Sequence, residues 1–219
     1  MGIGSLGFRG VTVQFAAFCR HILGKITAEW PDMASNKCSP CKVPKTLGIV
    51  SYGKFRNDVV RLLGDTSAAI VATMIDFYGL PTDFPGRRTM PAGSCYDQVA
   101  YLEQEIGKDI GHPRLLPYLA LHEFEAMLFV APEKIAQTFP GTDKGDDLTA
   151  IRRQFNSPEE IDNSPHTAPS RRLKALFPGY EKPLHGPLVI LEIGIEQIRG
   201  ECAHFNGWLA KLEKLGTGV

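Results

Sequence analysis

The sequence predicts an α/β protein with a parallel or mixed sheet flanked by helices and a C-terminal helical cap, on three observations. Residues 68 to 77, AAIVATMIDF, form an apolar, largely β-branched run that ends in an acid, the pattern of a strand buried on both faces. Residues 97 to 110 gather Val99, Leu102, Ile106 and Ile110 on one helical face, as an amphipathic helix does. Residues 114 to 121 then return to an apolar strand. Strand, crossover helix and strand in that order favour parallel pairing with helices over the sheet.

Upstream of this unit, residues 1 to 56 hold eight Lys and Arg against Glu29 and Asp32, a net of +6 balanced by −6 in the remainder. A basic arm of this kind meets a phosphate backbone or an acidic partner, or is a solvated terminus; charge leaves these open. The segment from Val11 to Leu23 is apolar apart from Gln14, Arg20 and His21 and carries no small-residue cleavage site, so it is expected to be a helix and not a signal peptide. Residues 1 to 44 as a whole are expected to pack poorly. The next helix follows Ser51, a capping residue, and carries Phe55, Val59, Leu62 and Leu63, with Lys54, Arg56 and Arg61 on its other side.

After the 68 to 77 strand, GLPTDFPG breaks regular structure and forms a loop at its carboxyl end. HEFEAMLF opens a helix with Phe124 and Leu128 four apart. Further helix starts are signalled at Pro132, at Ser157-Pro158-Glu159-Glu160 and near Thr167 to Pro169. The tail has two apolar stripes, Leu188, Leu191, Ile195 and Ile198, then Phe205, Trp208, Leu209 and Leu212, divided at Gly200 and Ala203. It is expected to cap the sheet.

A chain of 219 residues with 43% hydrophobic content has the size of one domain, expected over residues 45 to 215. No run of about 18 apolar residues occurs, so no membrane span is predicted. Five cysteines, an odd number for this length, point to a reducing cytoplasm and away from a secreted disulfide framework. Cys38 and Cys41 have the spacing of half a zinc site, yet no second pair follows, and a structural site needs four ligands.

The acids are the most site-like residues. Asp76 ends a buried strand, where open α/β sheets place ligands; its charge is met by a metal ion, an arginine or backbone donors. Glu123 and Glu125 follow the second strand. Two apart on a regular helix, they point about 200° from each other, and they converge only if strand gives way to helix between them. His122 lies three before Glu125 and favours it; the alternative is that both acids sit there for the helix dipole. Arg171, Arg172, Lys174, Lys182 and His185 gather near a helix start. There they could hold a phosphate, with His185 donating a proton to a leaving oxygen, or form a solvated face paired to Glu159, Glu160 or Asp162.

Three stretches, TMIDFYGLPTDFPG, LLPYLALHEFEAMLF and SPEEIDNSPHTAPSRRLKALFPGYEKPLHGPL, occur in an order that resembles the bacterial family known as domain of unknown function 4276, over roughly residues 45 to 212. The resemblance implies a Toprim-like fold and a gene neighbourhood shared with ATPases of the overcoming-lysogenisation-defect type. It further implies Mg²⁺ held by Asp76 and Glu125, with Glu123 in support, for hydrolysis of a nucleic-acid phosphodiester. Arg171, Arg172, Lys182 and His185 would hold or protonate the phosphate. The chain departs from the family pattern in two places. The aspartate pair of Toprim domains reads Asp76-Phe77-Tyr78 here, and no acid precedes Glu29, where family members carry a glutamate after the first strand. Two functions are therefore expected in competition: Mg²⁺-dependent hydrolysis, and a catalytically degenerate interaction module that partners an ATPase.

Overall fold

A computed structural model of the chain describes residues 3–8, 11–16, 51–66, 70–161, 164 and 166–217, the first two segments as backbone only. The Cys38 and Cys41 pair lies outside the described residues. The fold is mixed α/β. The chain divides into two compact units: Met1–Leu119 with Ala210–Val219, and Ala120–Leu209.

In the first unit, β1 (Ile3–Phe8) and β2 (Val11–Ala16) form an antiparallel hairpin with Phe8 opposite Val11. β2 runs parallel to β3 (Ile70–Thr73), with Val13 opposite Ile70, and β3 runs parallel to β5 (Leu115–Leu116), with Val71 opposite Leu115. The order is β1-β2-β3-β5. All four residues of β3 are buried, so the predicted interior strand and its predicted parallel neighbour are both present.

The opening of the chain corrects the sequence reading. Residues 11 to 16 are a strand and not the start of a helix, and they supply a neighbour to β3. The reason is visible in the residues themselves: Val11, Val13 and Phe15 alternate with Thr12 and Gln14, a period of two that the overall apolar content conceals. The remainder of the expected helix, residues 17 to 23, lies outside the described residues.

Both predicted strands are interrupted. The first breaks at Met74 and resumes as β4 (Ile75–Asp76), which joins β6 (Leu119–Ala120) in a separate two-stranded sheet. The second breaks at Pro117, which has no N–H to give to a ladder. The neighbouring groups are satisfied locally: Tyr118 N donates to the Thr73 hydroxyl at 3.2 Å, and Ile75 N donates to Tyr118 O at 3.2 Å.

Two whole helices belong to this unit, together with the helical residues from Ala210 onward. α1 (Tyr52–Leu63) starts at Ser51, whose side chain accepts from Lys54 N at 3.4 Å, and it buries Phe55, Val59, Leu62 and Leu63 as predicted. α2 (Cys95–Ile110) starts two residues before the predicted boundary because Ser94 and Asp97 form a reciprocal capping box, each bond 3.2 Å. It ends at Gly111, whose φ of 65° is the left-handed cap conformation.

The second unit is helical beyond β6. Phe124–Val130 forms a 3₁₀ helix, tighter than the α-helix expected there, and all seven of its residues are buried. The other start signals are realised as α3 (Pro132–Thr138), a short 3₁₀ turn at Pro158–Glu160 and α5 (Pro169–Leu176), with α4 (Gly145–Arg152) between. The tail forms α6 (Lys182–Ile193), α7 (Ile195–Glu201) and α8 (Ala203–Thr217). Its breaks fall at Gly194, at φ 79°, and at Cys202; Gly200 lies inside α7. Among the described residues no helix is long and apolar enough to cross a membrane.

Candidate functional site

The buried polar residues concentrate in the second unit. His122, Glu123, Glu125 and Glu159 are all buried there, whereas Thr73 is the buried polar residue of the first unit among the described residues. A carboxylate without water must be met by a cation or by donors, and each of these three acids is.

Glu123 is the residue before the 3₁₀ helix and is extended, with φ −133° and ψ 152°. The strand has already ended at Ala120 and the helix starts at Phe124, so Glu123 lies before the helix and Glu125 in its first turn, and the two side chains go to different partners. The Glu123 carboxylate accepts from Ser170 N at 2.8 Å and from the Ser170 hydroxyl at 2.9 Å. The residue preceding α5 is Ala168, which has no side-chain acceptor, and the first turn of α5 holds no acid. Glu123, 47 residues away in sequence, therefore supplies the negative charge that a helix N-terminus attracts. The helix start proposed for phosphate already holds an internal anion.

Glu125 has no exposed surface and pairs with Lys182 at the start of α6, Oε2 to Nζ 2.8 Å, with the lysine side chain 19% exposed. Tyr180 lies against this pair. Burial raises its hydroxyl well above the ordinary tyrosine range, and the charges of Glu125 and Glu123 add to that. The hydroxyl also lies 3.5 Å from where a side chain at Gly186 would begin, so Glu125, Tyr180, Lys182 and the backbone of α6 form one closed cluster.

Three residues of the predicted phosphate group have partners within the protein. Lys182 is taken by Glu125. Arg172 donates from Nε to Thr167 O at 2.7 Å and stacks over Phe155, its centre 5.9 Å from the ring. His185 Nδ1 accepts from Glu181 N at 2.9 Å, with its ring 4.7 Å from that of Phe139. Arg171 and Lys174 are exposed.

Asp76 belongs to the first unit, half-buried at the end of β4. A hard divalent cation needs several carboxylate oxygens turned toward one point. Glu123 is committed to Ser170 and Glu125 to Lys182, and among the described residues no three His, Cys, Asp or Glu side chains form a group able to hold an ion. The described carboxylates do not fit a magnesium centre.

A model of one family matches residues 15–213, a domain of unknown function, DUF4276. The chain belongs to the DUF4276 family. The match begins 30 residues before the resemblance read from the three motifs and takes in the last residues of β2. No curated protein and no solved structure matches this DUF4276 chain.

Glu159 was read from the sequence only as part of a helix start and as an ion-pair partner. Its carboxylate accepts from His204 N and Phe205 N, both at 3.0 Å, and so caps α8. Ser170, Tyr180 and Glu159 carried no individual signal in the sequence, since each acts on a residue distant along the chain. The position of Ser170, just after Pro169 at a predicted helix start, was the nearest to one.

Proposed function

We propose that this DUF4276 chain is a non-enzymatic interaction module on a Toprim-like α/β frame, and that it partners an ATPase of the overcoming-lysogenisation-defect type. The observation that carries the reading is the Glu125 and Lys182 pair: the acid that the resemblance assigns to Mg²⁺ is fully buried with a lysine ammonium 2.8 Å away. A metal ion would have to displace that cation from a site without water. What the second unit does offer is apolar surface. Leu184 and Leu188, four apart on α6, are 53% and 40% exposed, and Leu191 lies three further on, half-buried. Leucines at this spacing suit a helix-in-groove contact.

Two experiments test the reading. Mn²⁺ titrated by calorimetry into the wild type and Asp76→Asn should give no saturable heat in either. Neither single- nor double-stranded DNA or RNA should be cleaved when Mg²⁺ is added. Saturable binding lost in Asp76→Asn, or cleavage by the wild type, overturns the proposal in favour of Mg²⁺-dependent hydrolysis. Co-elution with such an ATPase should be lost in Leu184→Ser/Leu188→Ser if α6 is the contact.

A further inference from the structure

The cations of the first unit include one that packing positions and no acid meets. Arg87 lies in the loop that follows β4. Its guanidinium carbon is 5.1 Å from the centre of the Phe77 ring, and Nη1 reaches only Met90 Sδ at 3.9 Å, a weak acceptor. Nε is buried with no hydrogen-bond partner. Arg88, beside it, is exposed. Among the described residues no carboxylate stands within ion-pair distance of either arginine. A guanidinium held on an aromatic face with part of its fork unsatisfied is costly in a folded protein unless something completes it.

The loop is built to hold this arrangement. Gly86 has φ 77°, and a Cβ there would stand 2.8 Å from Glu105 Cγ and 2.9 Å from Tyr101 Cε1 of α2, so the backbone lies against that helix more closely than any other residue permits. On either side, Arg87 N donates to Phe84 O at 3.0 Å and the Thr89 hydroxyl meets that of Tyr101 at 2.9 Å. Asp83, the acid nearest in sequence, accepts instead from Tyr52 N at 2.9 Å. The loop thus fixes Arg87 while committing its own acid elsewhere.

We propose that Arg87, assisted by Arg88, is a phosphate-binding point at the carboxyl end of β4. Strand ends of this kind are where α/β sheets receive ligands, and the planar guanidinium fork matches two phosphate oxygens. Two adjacent cations suit the doubly charged group of a phosphate monoester as well as the diester of a nucleic-acid backbone. The inference does not depend on the interaction-module reading.

The Arg87 Nε–Hε resonance reports the site directly by NMR. Inorganic phosphate added to the full chain should move it along a saturable curve, whereas chloride at the same ionic strength should not. Arg87→Lys, which keeps the charge and loses the fork, should weaken phosphate binding by about tenfold. Arg87→Met should abolish it, with the amide spectrum of the remaining loop retained. A short oligonucleotide without terminal phosphate then separates the sources: tighter binding than inorganic phosphate points to a nucleic-acid backbone, and no binding to a phosphate monoester. An unmoved Nε–Hε signal, an equal response to chloride, or wild-type affinity in Arg87→Met overturns the proposal.

Discussion

The two units hold their helices by different means. In the first, caps are local: Ser51 serves α1, and Ser94 with Asp97 serves α2, three residues apart. In the second, two α-helices take distant caps: Glu123 reaches Ser170 of α5 across 47 residues and Glu159 reaches α8 across 45. A local cap costs little to arrange and is exposed. A distant one has to be buried, and it then binds separate segments together as well as ending a helix. Acids used this way stand among apolar residues at the ends of strands and turns, where a sequence reader expects catalytic ligands.

The largest effect expected is on the pair that makes the second unit most unlike the first. Glu125→Ala should destabilise the protein by about 3 kcal/mol, since removing one partner leaves Lys182 uncompensated in a mostly buried place. Glu125→Leu with Lys182→Met should recover most of that loss, because a buried ion pair is worth little more than apolar groups of the same size. Urea unfolding of the three proteins measures both. A double variant as unstable as Glu125→Ala would show that the cost comes from packing and not from the orphaned charge.

A smaller effect separates the caps. Glu123→Ala deprives Ser170 of both acceptors and should cost about 1.5–3 kcal/mol, the range for hydrogen bonds to a charged group. Ser94→Ala should cost about 1 kcal/mol, as loss of an ordinary N-cap does. The contrast fails if the two variants shift the urea midpoint equally.

This contrast also explains what was legible. The β3 strand, its β5 neighbour and helices α1 and α2 were readable because burial and local caps leave a periodic mark on adjacent residues. The break at Pro117 could have been read from the proline. The strand β2 was hidden by judging residues 11 to 23 by apolar content and not by alternation. Of the three acids singled out in the sequence, Glu123 and Glu125 are buried and Asp76 is half-buried. Their roles were not legible, because nothing near Glu125 in sequence announces Lys182, and nothing near Glu123 announces Ser170. The same holds in reverse for Arg87, whose significance lies in partners it lacks.

The smallest effect is visible only as a function of pH, and it tests whether Glu159 is a buried cap in solution. Burial raises its carboxyl above the ordinary value of 4.5, while the amides of His204 and Phe205 and the charge of His204 pull it back, so the net rise is a contest between them. A carboxyl raised in the folded state keeps its proton where the unfolded chain has lost it. The folded state then binds more protons across that interval, and stability must fall as pH rises from 4.5 to the folded pKa, levelling above it. Glu159→Gln cannot ionise and removes this dependence, while every other carboxyl contributes equally to both proteins. The stability difference, wild type minus variant, should therefore shrink or turn negative as pH rises through that interval. A difference that grows with pH would mean that the two amides outweigh burial and that Glu159 stabilises the fold as a charged cap.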